Sequence, residues 1–166
     1  MIFLINEGTQ MDAIIGRSPW AIEAVQLVFA QINGAVLDCI ENPSEAVQML
    51  AVKQNGSAIQ HIKNPSEAVQ MIAVKQNSSV LQLIKNPSEA VQLAAVQQNG
   101  EAIQHIRNPS EAVKLAAAQE TSEALFFINN PSEAVKLAAA ASNPVLEKAF
   151  AEIKKHAQEW DEIRKS

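Results

Sequence analysis

Residues 64–85 read NPSEAVQMIAVKQNSSVLQLIK, and this stretch decides the fold because it returns every 22 residues. Asn-Pro-Ser-Glu-Ala-Val begins at Asn42, Asn64, Asn86, Asn108 and Asn130, with no insertion between copies. A degenerate copy, WAIEAVQLVFAQINGAVLDCIE, occupies residues 20–41 in the same register. A fixed period of this size marks a solenoid, in which each unit buries its apolar surface against its neighbours.

One copy predicts two helices. Asn42 is read as the N-cap of the first, with Pro43 at the first helical position, where a missing N–H costs nothing. Glu45, three residues after the cap, completes a capping box and suits the positive helix end. Ala46, Val47, Met49, Leu50, Ala51 and Val52 make this helix apolar around most of its circumference, so it has to be covered on several sides. Asn55-Gly56 is read as its stop, with the glycine in the left-handed conformation. A short helix, partly 3₁₀ in character, is expected over residues 57–63.

The ends depart from the pattern. Residues 1–19 are atypical and are read as an N-terminal cap: the apolar run Met1 to Ile5 lacks a basic flank, and Thr9 opens a short helix closed by Gly16. The sixth repeat copy of residues 20–142 keeps only its long helix. Asn143-Pro144 then opens a final helix over residues 143–166, with Leu146, Ala149, Phe150, Ile153, Ala157 and Trp160 as one apolar stripe. Such a helix is expected to lie over the last open repeat. The prediction is one domain: an all-α, right-handed α-solenoid of about six two-helix repeats, capped at both ends.

The 166 residues are 48% hydrophobic, enough for one elongated core, and the net charge is −5. There is no basic patch to meet a phosphate backbone, so no direct nucleic-acid partner is expected. Tyr is absent and aromatics are few, which argues against a stacking platform for single strands. No stretch is long and apolar enough to predict a membrane span. The single Cys39 leaves no internal disulfide and fits a reducing, cytoplasmic setting.

Leu93-Ala94-Ala95-Val96-Gln97-Gln98-Asn99-Gly100, with its relative Ala51-Val52-Lys53-Gln54-Asn55-Gly56, resembles the "LAAVKQNG" repeats of a bacterial and viral family of unknown function. The pattern is also similar to leucine-rich-repeat-variant and HEAT-like α-solenoids, which alternate an α-helix with a short, often 3₁₀, helix. The resemblance covers about residues 20–141. It implies a right-handed superhelix; it assigns no single function, since repeats of this sort serve many partners. Variant-repeat proteins can carry an N-terminal iron–sulfur module, for which one cysteine does not suffice.

Several rows carry residue types that can do chemistry. Glu23, Glu45, Glu67, Glu89, Glu111 and Glu133 form a carboxylate row. Stacked repeats lie about 8–10 Å apart, whereas metal–oxygen bonds are about 2.0–2.6 Å, so capping is the reading for this row. His61 and His105 stand two copies apart, too far to act as a pair. No nucleophile–base or Gly-rich phosphate pattern appears, so neither catalytic residues, metal nor cofactor is expected. The row Gln26, Gln48, Gln70, Gln92, Lys114, Lys136 is read as the exposed side of the long helices.

Two short-helix rows vary where the other positions scarcely change: Asp38, Gln60, Gln82, Gln104, Phe126, and Cys39, His61, Leu83, His105, Phe127. Packing fixes the repeated positions, so the freer ones are expected to face outward. Gln60, His61, Gln82, Leu83, Gln104, His105, Phe126 and Phe127 are therefore the candidate protein-binding residues. Phe126 and Phe127 are either an exposed hot spot or the surface that the final helix covers. The leading expectation is a non-enzymatic protein-binding scaffold with a partner of unstated identity. The alternative is a phage- or virus-encoded inhibitor that blocks a host defence enzyme such as a nuclease. Near-identical copies invite register slip or domain swapping, and an incompletely covered end leaves self-association open.

Overall fold

The computed structural model describes residues 19–165, and the side chains of residues 22–160, 163 and 164. The expected N-terminal cap lies, as far as residue 18, outside the described residues. The chain is an all-α repeat solenoid, and no strand occurs among the described residues. Long helices α1 (Pro19–Ile32), α2 (Glu45–Gln54), α3 (Glu67–Gln76), α4 (Glu89–Gln98), α5 (Glu111–Glu120) and α6 (Glu133–Ser142) alternate with 3₁₀ helices. These are η1 (Gly34–Cys39), η2 (Gly56–His61), η3 (Ser78–Leu83), η4 (Gly100–His105) and η5 (Ser122–Phe127). Helix α7 (Pro144–Lys165) follows. Two compact units divide the chain, one up to Val91 and one from Gln92.

In the first unit, α1 packs on α2 and α2 on α3, while η1, η2 and η3 pack side by side in sequence. Helix α2 touches both η1 and η2, and α3 touches both η2 and η3. In the second unit, α5 packs on α6 and α6 on α7, η4 lies against η5, and α5 touches both 3₁₀ helices. A long helix thus meets the short helix of its own copy and that of the copy before. That is why the apolar positions spread round it: Val47, Ala51 and Val52 are completely buried, as are Val113, Ala117 and Ala118. Ile59, Leu81 and Ile103 supply the short helices' share of the core.

The capping chemistry differs from the sequence reading. The N-cap is Ser44, not Asn42: it is extended, and its Oγ accepts from the Val47 N–H at 3.4 Å. Ser66, Ser110 and Ser132 do the same for α3, α5 and α6. Pro43 therefore precedes the helix, and Glu45 is its first residue rather than the far half of a capping box. Asn42, Asn86 and Asn130 sit left-handed at φ 60°, 52° and 49°. Asn tolerates that region, and a following proline disfavours the right-handed helical one.

The serine hydroxyl has a second task. Ser44 Oγ donates to Glu23 Oε1 at 2.7 Å and Ser88 Oγ to Glu67 Oε1 at 2.8 Å, each spanning 21 residues. Ser66 bonds Glu45, and in the second unit Ser132 bonds Glu111, in the same way. The glutamate row is thus the acceptor half of a ladder between copies, and polar side chains of neighbouring copies do meet. One hydroxyl both caps its own helix and ties it to the previous one.

Gly56 does not stop α2 by turning left-handed. The helix ends at Asn55, which is extended at φ −146°, and whose Oδ1 accepts from the Ser57 N–H at 3.1 Å to start η2. Asn33, Asn77 and Asn99 open η1, η3 and η4 alike. Glycine is needed for space: a Cβ on Gly34 would stand 2.6 Å from the Ala51 carbonyl oxygen, and one on Gly100 2.5 Å from that of Ala117. The tightest contact for Gly56, with the Ala73 oxygen, is 3.1 Å.

The glutamine row is not free surface. Gln48 Nε2 donates to the Pro43 carbonyl at 2.8 Å and Gln70 Nε2 to that of Pro65 at 3.0 Å, so these half-buried amides brace the loop before their own helix. The final helix covers less than expected. Only Leu146 and Phe150 of its stripe are half-buried, whereas Ile153 and Trp160 are exposed, as is Leu137 on α6.

Removing the Ser66 cap by Ser66→Ala is expected to cost about 1 kcal/mol in urea unfolding. Combined with Glu45→Ala it should show a coupling of about 0.5–1 kcal/mol, because the two side chains share one bond. Simple additivity would mean that the ladder carries no stability. Gly34→Ala and Gly100→Ala should each lower the melting temperature more than Gly56→Ala, in the order of their contact distances.

Candidate functional site

The alternation of α and 3₁₀ helices sets what each unit displays. A 3₁₀ helix has three residues per turn, so positions three apart are eclipsed. In η2 the second turn position, Ala58, is buried, while Gln60 is exposed and His61 half-buried. In η3, Gln82 and Leu83 are exposed, Leu83 at 38%. The first unit therefore presents Gln60, His61, Gln82 and Leu83 on the face of its packed short helices. In the second unit, Gln104 and His105 of η4 are exposed, and so are Phe126 at 85% and Phe127 at 40%. Of the two readings left open for these phenylalanines, exposure is the one found. Helix α7 packs on α6, and among the described residues it is not a neighbour of η5.

The first unit carries a polar cluster that row spacing did not reveal. His61 Nδ1 meets the Asp38 carboxylate of the preceding short helix, and His61 Nε2 lies 3.0 Å from Gln60 Nε2. One tautomer satisfies both contacts, with Nδ1–H donated to Asp38 and Nε2 accepting from Gln60. The signal is present in the sequence, since Asp38 and His61 occupy adjoining rows one copy apart and meet on the diagonal between those rows.

Beside this cluster lie two open recesses that repeat at the sequence period. One, of about 460 Å³, is bounded by Asp38, Glu41, Asn42, Gln48, His61 and Lys63. The other, of about 530 Å³, is bounded by Gln60, His61, Asn64, Gln70, Leu83 and Lys85. Gln70 Oε1, in the wall of the larger one, is buried without a hydrogen-bond partner among the described residues.

In the second unit the face is acidic and apolar. Glu101 and Glu123, one 3₁₀ turn before Gln104 and Phe126, are both exposed. The Thr121 hydroxyl, and then the backbone N–H of Glu123 itself, hold the Glu123 carboxyl below the usual carboxylate range. Among the described residues, no three His, Cys, Asp or Glu side chains are grouped to hold a metal ion. No described helix is long and apolar enough to cross a membrane. Cys39 is exposed at the end of η1. Comparison with protein-family models, curated proteins and solved structures found no match to this chain.

Proposed function

We propose that this chain is a non-enzymatic protein-binding module and that its short-helix faces are the contact surfaces. Phe126 carries the reading: a large aromatic ring, 85% exposed, stands where the other copies place Asp or Gln. Leaving such a ring in water forgoes the burial that dominates interface energetics, and aromatic anchors of this kind are common hot spots. Phe127 beside it enlarges the apolar area.

The scaffold suits the role. The core positions are nearly invariant between copies, while the displayed ones differ, so specificity can change without touching stability. A face of short, tightly packed turns is preorganised and loses little conformational freedom on binding. In the first unit, the Asp38–His61–Gln60 chain fixes side chains that would otherwise be ordered only on contact. A cytoplasmic setting, where exposed Cys39 stays reduced, belongs to the same proposal.

The test is affinity capture from the native host with the unaltered chain and with Phe126→Ser/Phe127→Ser. The variant should lose its captured protein by about 30-fold or more in affinity, the consequence of removing a hot spot worth about 2 kcal/mol. Its melting temperature should stay nearly unchanged, since neither ring is core. Undiminished capture would remove this face from consideration.

A further inference from the structure

The second unit's face combines charge and apolar surface in a fixed geometry. With a rise of about 2.0 Å per residue and three residues per turn, side chains one turn apart in a 3₁₀ helix are aligned and about 6 Å apart. Glu123 therefore stands in line with Phe126 on η5, and Glu101 with Gln104 on the packed neighbour η4. Both carboxylates lie at the starts of their helices, and the exposed rings of Phe126 and Phe127 at the end of η5.

This charge is particular to the unit. The corresponding positions of η1, η2 and η3 are Ala35, Ser57 and Ser79. Neither η4 nor η5 contains Lys or Arg; exposed Arg107 follows η4 by two residues, and exposed Glu120 ends α5. Glu123 is also held in place, since its Oε2 accepts from the hydroxyls of Thr121 and, at 3.4 Å, Ser122. An ordered carboxylate beside an exposed ring is complementary to a ligand that carries a cation beside a bulky apolar group.

We infer that the η4–η5 face binds an extended peptide segment in which a Lys or Arg and a large apolar side chain alternate with small residues on one side of the strand. Residues two apart in an extended chain share a side and are separated by about 6.6–6.8 Å, close to the Glu123–Phe126 spacing. The apolar group rests on Phe126 and Phe127, and the cation lies between the carboxylates of Glu101 and Glu123. The inference rests on the protein-binding reading and specifies the chemistry of the partner.

The probes are three short synthetic peptides, titrated into the full-length chain labelled with nitrogen-15. In the first, lysine, leucine and lysine alternate with serine. The second replaces both lysines with glutamate, and the third replaces the leucine with serine. The first should bind at least about tenfold more tightly than either control, shifting the amide signals of η4 and η5, and should weaken as salt screens the charges. Glu101→Lys/Glu123→Lys should transfer the preference to the glutamate peptide, and the milder Glu101→Gln/Glu123→Gln should abolish it. Equal binding of all three peptides, no binding at millimolar concentration, or an unchanged preference in both variants would overturn the inference. Captured host protein that is lost with the Phe126/Phe127 variant but retained by the charge-reversed one would also overturn it, while leaving the protein-binding reading standing.

Discussion

Successive copies can approach one another only because the first residue of each 3₁₀ helix is small. Gly34, Gly56 and Gly100 place no atom where the next long helix brings its carbonyl oxygen. Ser78 and Ser122, their counterparts, are buried. With that approach in place, Val47, Ala51, Val52 and their counterparts in α3, α4 and α5 lose all contact with water, and short apolar side chains suffice for the core. The serine hydroxyls then fall within reach of the previous copy's glutamates. Cap, ladder and core are consequences of one close approach repeated along the sequence.

That hierarchy explains which features were legible in the sequence. The period, the alternation of long and short helices and the buried identities of Val47, Ala51 and Ile59 all follow from local pattern. The N-terminal chemistry did not, because Asn42 and Ser44 both belong to the capping residue types and local rules do not rank them here. The hydroxyl of Ser44 prevails because it serves two acceptor–donor relations at once, and one of them lies in another copy. Gly56 was misread for a related reason: its requirement is set by the Ala73 carbonyl, 17 residues further on, and not by its own dihedral angles. The Gln48 amide is likewise occupied by a backbone carbonyl that helical periodicity does not bring to mind.

The exposure of the short-helix rows was legible in outline. Variation among near-identical copies pointed to the short-helix rows, and exposure of Gln60, Gln82, Gln104 and Phe126 agrees with it. The fate of Phe126 and Phe127 was open because the stripe on α7 is periodic from Leu146 to Trp160, while only Leu146 and Phe150 of it are half-buried. Periodicity reports that a helix has an apolar side; it does not report how much surface is available to meet it. The diagonal contact of Asp38 with His61 shows the same limit between rows.

Pro144 follows from the same steric rule. It falls 22 residues after Ser122, in the place that every earlier copy gives to glycine or serine. A pyrrolidine ring there is bulkier than any of those residues, and its fixed φ suits the first position of an α-helix. The alternation of long and short helices therefore stops at Pro144, where α7 takes the place that a further 3₁₀ helix would have had.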